Sequence, residues 1–180
     1  MARSLGETYL SSVIARIRYY KDLAEKTFAQ LDEKDFFHQP NPQSNSIAII
    51  IQHMSGNMLS RFTRFLTEDG EKSWRNRDRE FDPDPQFGTR DELMAYWEKG
   101  WACMLDAIGS LREDDLMKTV TIRAEPLTVI DAINRQLAHH PHHVGQIVYI
   151  GKLIRNGSWK SLSIPRGMSD QYNQQMQGKS

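Results

Sequence analysis

A chain of 180 residues is long enough for one domain with its own hydrophobic core. Its 23 basic and 23 acidic residues cancel to zero net charge, which argues against global attraction to nucleic acid or an anionic membrane. The single cysteine, Cys103, excludes an intramolecular disulfide and fits a reducing, cytoplasmic setting; no apolar run approaches the ~18 residues of a membrane span, and the charged N-terminal stretch lacks the apolar segment of a signal peptide.

Four long helices are predicted by hydrophobic period. The first covers roughly 7–31, where Leu10, Val13, Ile14, Ile17, Tyr20, Ala24 and Phe28 recur at steps of three and four. It ends before DEKDFFHQPNPQ, whose two prolines mark a loop. The second covers about 46–66, capped by Ser44 or Ser46, with Ile47, Ile50, Ile51, Met54, Met58 and Phe62 as its apolar stripe and His53 beside that stripe.

A long charged loop, TEDGEKSWRNRDREFDPDPQFG, follows. Loops of this length in compact domains are often functional. Trp74 with Arg75, Arg77 and Arg79 could cover a site, and Arg75 and Arg77 could hold an anionic substrate group by bidentate hydrogen bonds. The plainer alternative is a solvated loop whose arginines pair with Asp78, Glu80 and Asp82.

The third helix starts at Thr89, where Thr-Arg-Asp-Glu has capping-box spacing, and runs to about 111 through Leu93, Trp97, Trp101, Leu105 and Ile108. Val120 and Ile122 alternate with Thr119, Thr121 and Arg123, a strand signal that allows a short β-hairpin. The fourth helix covers about 128–155. Its apolar arc is wide (Ile130, Ile133, Leu137, Val144, Ile147, Ile150, Ile154), which predicts a central position. The remaining tail reads as irregular, with a short helix near 169–176.

Four of the six histidines fall within residues 139–143, around Pro141. His139 and His143 are four apart and share a helical face that continues into Ile147 and Ile150. His140/His143 and His139/His142 compete as pairs at a spacing of three. His142 lies on the polar side, and His140 near the core edge. Imidazoles turned toward an apolar interior need hydrogen-bond partners or a metal. His53 is the best-placed third ligand; His38 lies in a loop. Three neutral histidines would make an open, catalytic-type site that suits zinc or nickel. Pro141 removes an amide and crowds the preceding turn, so a kink is expected between the two ligands, with the carbonyl of Leu137 freed for a histidine ring nitrogen.

The run from His139 to Ile147 resembles the HxxxHxGQI ending of the DinB/YfiT-like superfamily. The segment from Asn45 to Phe81, with IRAEPLTVIDAINRQLAHH and SIPRGMS, resembles more narrowly its DUF1572 branch. The resemblance implies an all-α, DinB-like four-helix bundle over the whole chain, 1–180, with an unusual connection between helix pairs. It implies a divalent metal, zinc or nickel, held by His53, His139 and His143, and members that are often homodimers. Better-known relatives are S-transferases using bacillithiol or mycothiol and a mycothiol-dependent maleylpyruvate isomerase; the DUF1572 branch brings no activity with it.

Two function classes follow. One is a metal-dependent enzyme, a thiol S-transferase or hydrolase acting on a low-molecular-weight thiol or other small molecule. The other is a non-catalytic metal-binding or stress-related protein. No carboxylate is singled out by spacing as a general base, although Glu98 and Asp131 are candidates. Neither nucleic acid nor membrane is expected as a partner.

Overall fold

The computed structural model describes residues 2–82 and 86–178, so part of the long loop, 83–85, lies outside the described residues. The described chain is mostly helical: α1 (Leu5–Phe28), α2 (Glu33–Phe37), α3 (Ile47–Phe62), α4 (Arg90–Gly109), α5 (Val129–Arg155) and α6 (Ser169–Gln177), with strands β1 (Thr119–Ile122) and β2 (Glu125–Thr128) between α4 and α5. None of its helices is long and apolar enough to cross a membrane.

The helix starts follow local chemistry. Ser4, Ser46, Thr89 and Thr128 each accept an amide of the first turn, at α1, α3, α4 and α5. The reciprocal capping box at Thr89 and Glu92 forms as its spacing predicts. Two expectations need correction. DEKDFFHQPNPQ, read as a loop, contains the single helical turn of α2. Asp35 caps it by accepting from the Asp32 amide at 2.9 Å, and Phe36 anchors it against Phe28, ring centroids 5.4 Å apart. The central helix is α3, not α5. Every residue of α3 is buried, and it packs most extensively against α4. Gly100 permits that approach: a Cβ there would lie 3.0 Å from Ser55 Cα. By contrast α5 buries one stripe, Ile133, Val144 and Ile147, and leaves Tyr149 and Leu153 exposed. Its apolar arc is wide because it includes the half-buried Ile130, Leu137 and Ile154 at the margins of that stripe.

Trp97, Trp101, Met104 and Ile108 of α4 join Met54 and Met58 of α3 in the core, where burying each large side chain contributes ~1.5–3 kcal/mol. Half-buried Cys103 lies 3.7 Å from Thr63 Oγ1.

The hairpin is antiparallel, in register from Thr119 opposite Thr128 to Ile122 opposite Glu125. Its two-residue turn, Arg123-Ala124, has both φ angles positive, at 57° and 60°, a turn form that usually demands Asn-Gly. Asp69 compensates. Its carboxylate accepts from the amides of Glu71 (2.6 Å), Ala124 (2.8 Å) and Arg123 (2.9 Å), which ties the turn to the loop after α3.

Candidate metal centre

His53 sits mid-way along α3, buried, and faces α5. His139 and His143 lie one turn apart on α5, both half-buried, with ring centroids 4.6 Å apart. His53 Nε2 lies 3.1 Å from His139 Nε2, and the three residues can each bring a ring nitrogen within 4.8 Å of the others. A divalent cation ligated at ~2.0–2.1 Å wants its nitrogens a little over 3 Å apart. The first pair already meets this, and a His143 nitrogen lies within 4.8 Å of both. The donor set fits zinc or nickel.

In two of the three rings the far nitrogen is held by another side chain, whereas His139 Nδ1 is buried without a partner. His53 Nδ1–H donates to Glu80 Oε2 at 3.0 Å, which leaves Nε2 as the ligating atom. His143 Nδ1–H donates to Gln146 Oε1 at 2.9 Å, with the same consequence. Outer partners of this kind fix the tautomer and orientation of metal-binding histidines. Glu80 is itself clamped by Arg75, Nε to Oε1 at 2.7 Å and Nη2 to Oε2 at 2.8 Å. The Arg75 and Glu80 side chains are only 2% and 6% exposed. Burial alone would raise the Glu80 pKa; hydrogen bonds from Arg75 and then His53 outweigh it and hold the carboxyl below its ordinary value.

The long loop supplies this support. Its short 3-10 turn, Asp78–Phe81, packs on α3. Gln52 of α3 clamps it from both sides, donating to the Glu80 carbonyl at 3.3 Å and accepting from the Gln86 amide at 2.6 Å. Gly56, three residues after His53, leaves room for Glu80. A Cβ there would stand well inside van der Waals contact with Glu80 Oε1. Phe81 stacks on the His53 ring, with centroids 4.6 Å apart.

Electrostatics favour neutral ligands. Burial first, then the neighbouring histidines, push His139 down to about 2. Burial lowers His143 to about 4 against the opposing hydrogen bond to Gln146. His140, read as a core-edge residue, is fully enclosed against Trp101, and burial lowers it to about 4. Its Nδ1–H donates to the carbonyl of Gln136 at 2.9 Å, so the backbone acceptor is Gln136 rather than Leu137. His142 is exposed. The α5 helix continues through Pro141, which is half-buried between the two proposed ligands.

The other residues proposed from sequence fall as follows. Arg77 is exposed, with its guanidinium carbon 5.0 Å from the Phe81 ring centre. Arg79 pairs with Asp82, and Arg75 pairs with Glu80. Glu98 pairs with Lys21 at 2.8 Å, and Asp131 occupies the first turn of α5, two turns before His139. His38 follows α2 and is outside the three-histidine group. Glu80 and Gln146 were missed as positioning residues. Gln146 could have been found, because it lies three residues after His143; Glu80 is 27 residues from His53, and no local period links them.

No curated protein matches the chain. The model of the DUF1572 family, described as a protein of unknown function, matches residues 4–168. With nearly the whole chain matched, the protein belongs to the DUF1572 family.

Proposed function

We propose that the protein is a metal-dependent enzyme on a DinB-like four-helix bundle of α1, α3, α4 and α5, with one zinc or nickel ion held by His53, His139 and His143. The observation that carries this reading is the convergence of three imidazole nitrogens from two helices, two of the rings being oriented through their far nitrogen. Bound there, the cation supplies open positions that lower the pKa of a thiol or water.

The chain's own residues narrow the reaction. Arg75 and Glu80 fix His53, Gln146 fixes His143, and Phe81 shields one side of the His53 ring. Arg77, exposed above Phe81, is the guanidinium left for an anionic substrate group, while Arg75 is held by Glu80. Glu80 is already shared by Arg75 and His53, so it is not free to serve as a base toward water. A metal-bound thiol, whose pKa starts at about 8.5 against about 15.7 for water, would release its proton to solvent and attack as the thiolate without a base. This favours S-transfer from a low-molecular-weight thiol over hydrolysis. A cytoplasmic homodimer completes the proposal, and the single cysteine and zero net charge fit that setting.

The test is thiol-dependent turnover of monobromobimane by zinc- or nickel-loaded protein. Turnover above the uncatalysed rate that disappears in His53→Ala is expected. Equal rates for wild type and His53→Ala would contradict the enzymatic reading and leave the non-catalytic metal-binding one.

A further inference from the structure

A cleft of about 500 Å³ opens beside the three histidines, within the size range of small-molecule sites. His139 forms part of its wall. Asn57 and Arg61 enter from α3, one and two turns beyond His53, and Arg135 and Gln136 enter from α5. Ile122 of β1 supplies an apolar side.

Three polar residues of this cleft are well buried, while Arg135 and His142 are exposed. Asn57, Gln136 and Arg61 are 7%, 6% and 9% exposed. Buried amides normally bond to protein groups. Here Asn57 Oδ1 and Gln136 Oε1 are buried without a protein partner. Those oxygens are closed off from the cleft, so each amide as placed offers the cleft its −NH2, a donor. The guanidiniums of Arg61 and Arg135 add further donors beside the His139 and His142 rings, which favours a ligand that accepts.

The charge balance sets the ligand class. Arg61 donates to Glu71 at 3.2 Å and to the Gly70 carbonyl, and Arg135 donates to Glu125 at 3.1 Å. Each guanidinium thus shares its charge with a glutamate. Guanidiniums so paired keep free N–H donors but little net charge, which suits one carboxylate better than a doubly charged phosphate. Planar guanidinium and amide groups also match a planar carboxylate.

We propose that this cleft binds the carboxylate of a small organic acid through Asn57, Gln136, Arg61 and Arg135, with the acid's other end directed toward His139 and His53. The placement rests on the reading of the three histidines as the reacting centre; the carboxylate preference does not need a metal to be measured.

The experiment is calorimetric titration of the full chain, metal-free and zinc-loaded, with glutarate, its neutral diamide glutaramide, and inorganic phosphate. Glutarate is expected to bind at least about tenfold tighter than either competitor, in both forms of the protein. Arg135→Gln, at an exposed position, and Gln136→Leu are each expected to weaken glutarate about tenfold, the scale of one charged hydrogen bond, without changing zinc content. Equal binding of glutarate and glutaramide, phosphate binding as tight as glutarate, unchanged affinity in both variants, or no glutarate binding up to tens of millimolar would each overturn the proposal. Zinc binding without glutarate binding would sink the cleft and leave the metal reading. Glutarate binding to a protein that takes up no zinc would do the reverse.

Discussion

At the scale of single residues, the chain Arg75–Glu80–His53 carries much of the account. A buried carboxylate that accepts two hydrogen bonds from one guanidinium and one from an imidazole is rigid, and that rigidity passes to His53 Nε2. Partners of this kind are worth about 10–100-fold in metal affinity. Glu80→Gln should therefore weaken zinc binding by about that factor, measured by competition with a chromophoric chelator, because one of the two accepting oxygens becomes an −NH2 that meets a donor. Gly56→Ala should weaken it similarly by displacing Glu80, although it touches none of the three ligands. Unchanged affinity in both variants would mean that Glu80 only neutralises Arg75.

At the scale of elements, the hairpin shows where local sequence rules meet a long-range device. TVTI announces a strand, but Arg123-Ala124 is a poor match to a turn with two positive φ angles. The turn holds because Asp69, more than fifty residues earlier, accepts both of its amides. Hydrogen bonds from the backbone amides, first Glu71 and then Ala124, hold the Asp69 carboxyl well below the usual carboxylate range. A depressed carboxylate pKa contributes stability that is fully present above the unfolded value, near 3.8, and fades as pH falls below it. Asp69→Asn should lower the thermal midpoint at neutral pH and cost progressively less as pH drops below about 4. A constant difference between the proteins from pH 7 to pH 3 would show that the carboxylate charge does not anchor the turn. The helices were the more legible elements, because the period of α1, α3, α4 and α5 and the caps Ser46 and Thr89 are written within a few residues. The order of burial was less so. The wide arc of α5 predicts a central helix, but Ile130, Leu137 and Ile154 are only half-buried, whereas α3 is enclosed by α4, α5, α2 and the loop turn, neighbours that its own sequence does not encode.

At the scale of the whole molecule, the fold brings a helix centre, one later helix and an intervening loop to a single point. His139 and His143 were legible because helical geometry alone puts residues four apart on one face. His53 was legible as a polar residue beside an apolar stripe, and its choice was reinforced by family resemblance. Glu80 was not, since its approach depends on Gln52 clamping the loop and on the missing side chain of Gly56. Low histidine pKa values, support at two far nitrogens and nitrogens already in reach of one another are what a preformed divalent-metal site requires. The most direct test is metal content by elemental mass spectrometry. Untagged wild type, His53→Ala and His139→Ala would each be purified without added metal, then again after incubation with zinc or nickel and removal of the excess. About one divalent ion per wild-type chain, lost in both variants, is the predicted result; negligible metal in the wild type after loading, or equal metal in all three proteins, would contradict the three-histidine centre.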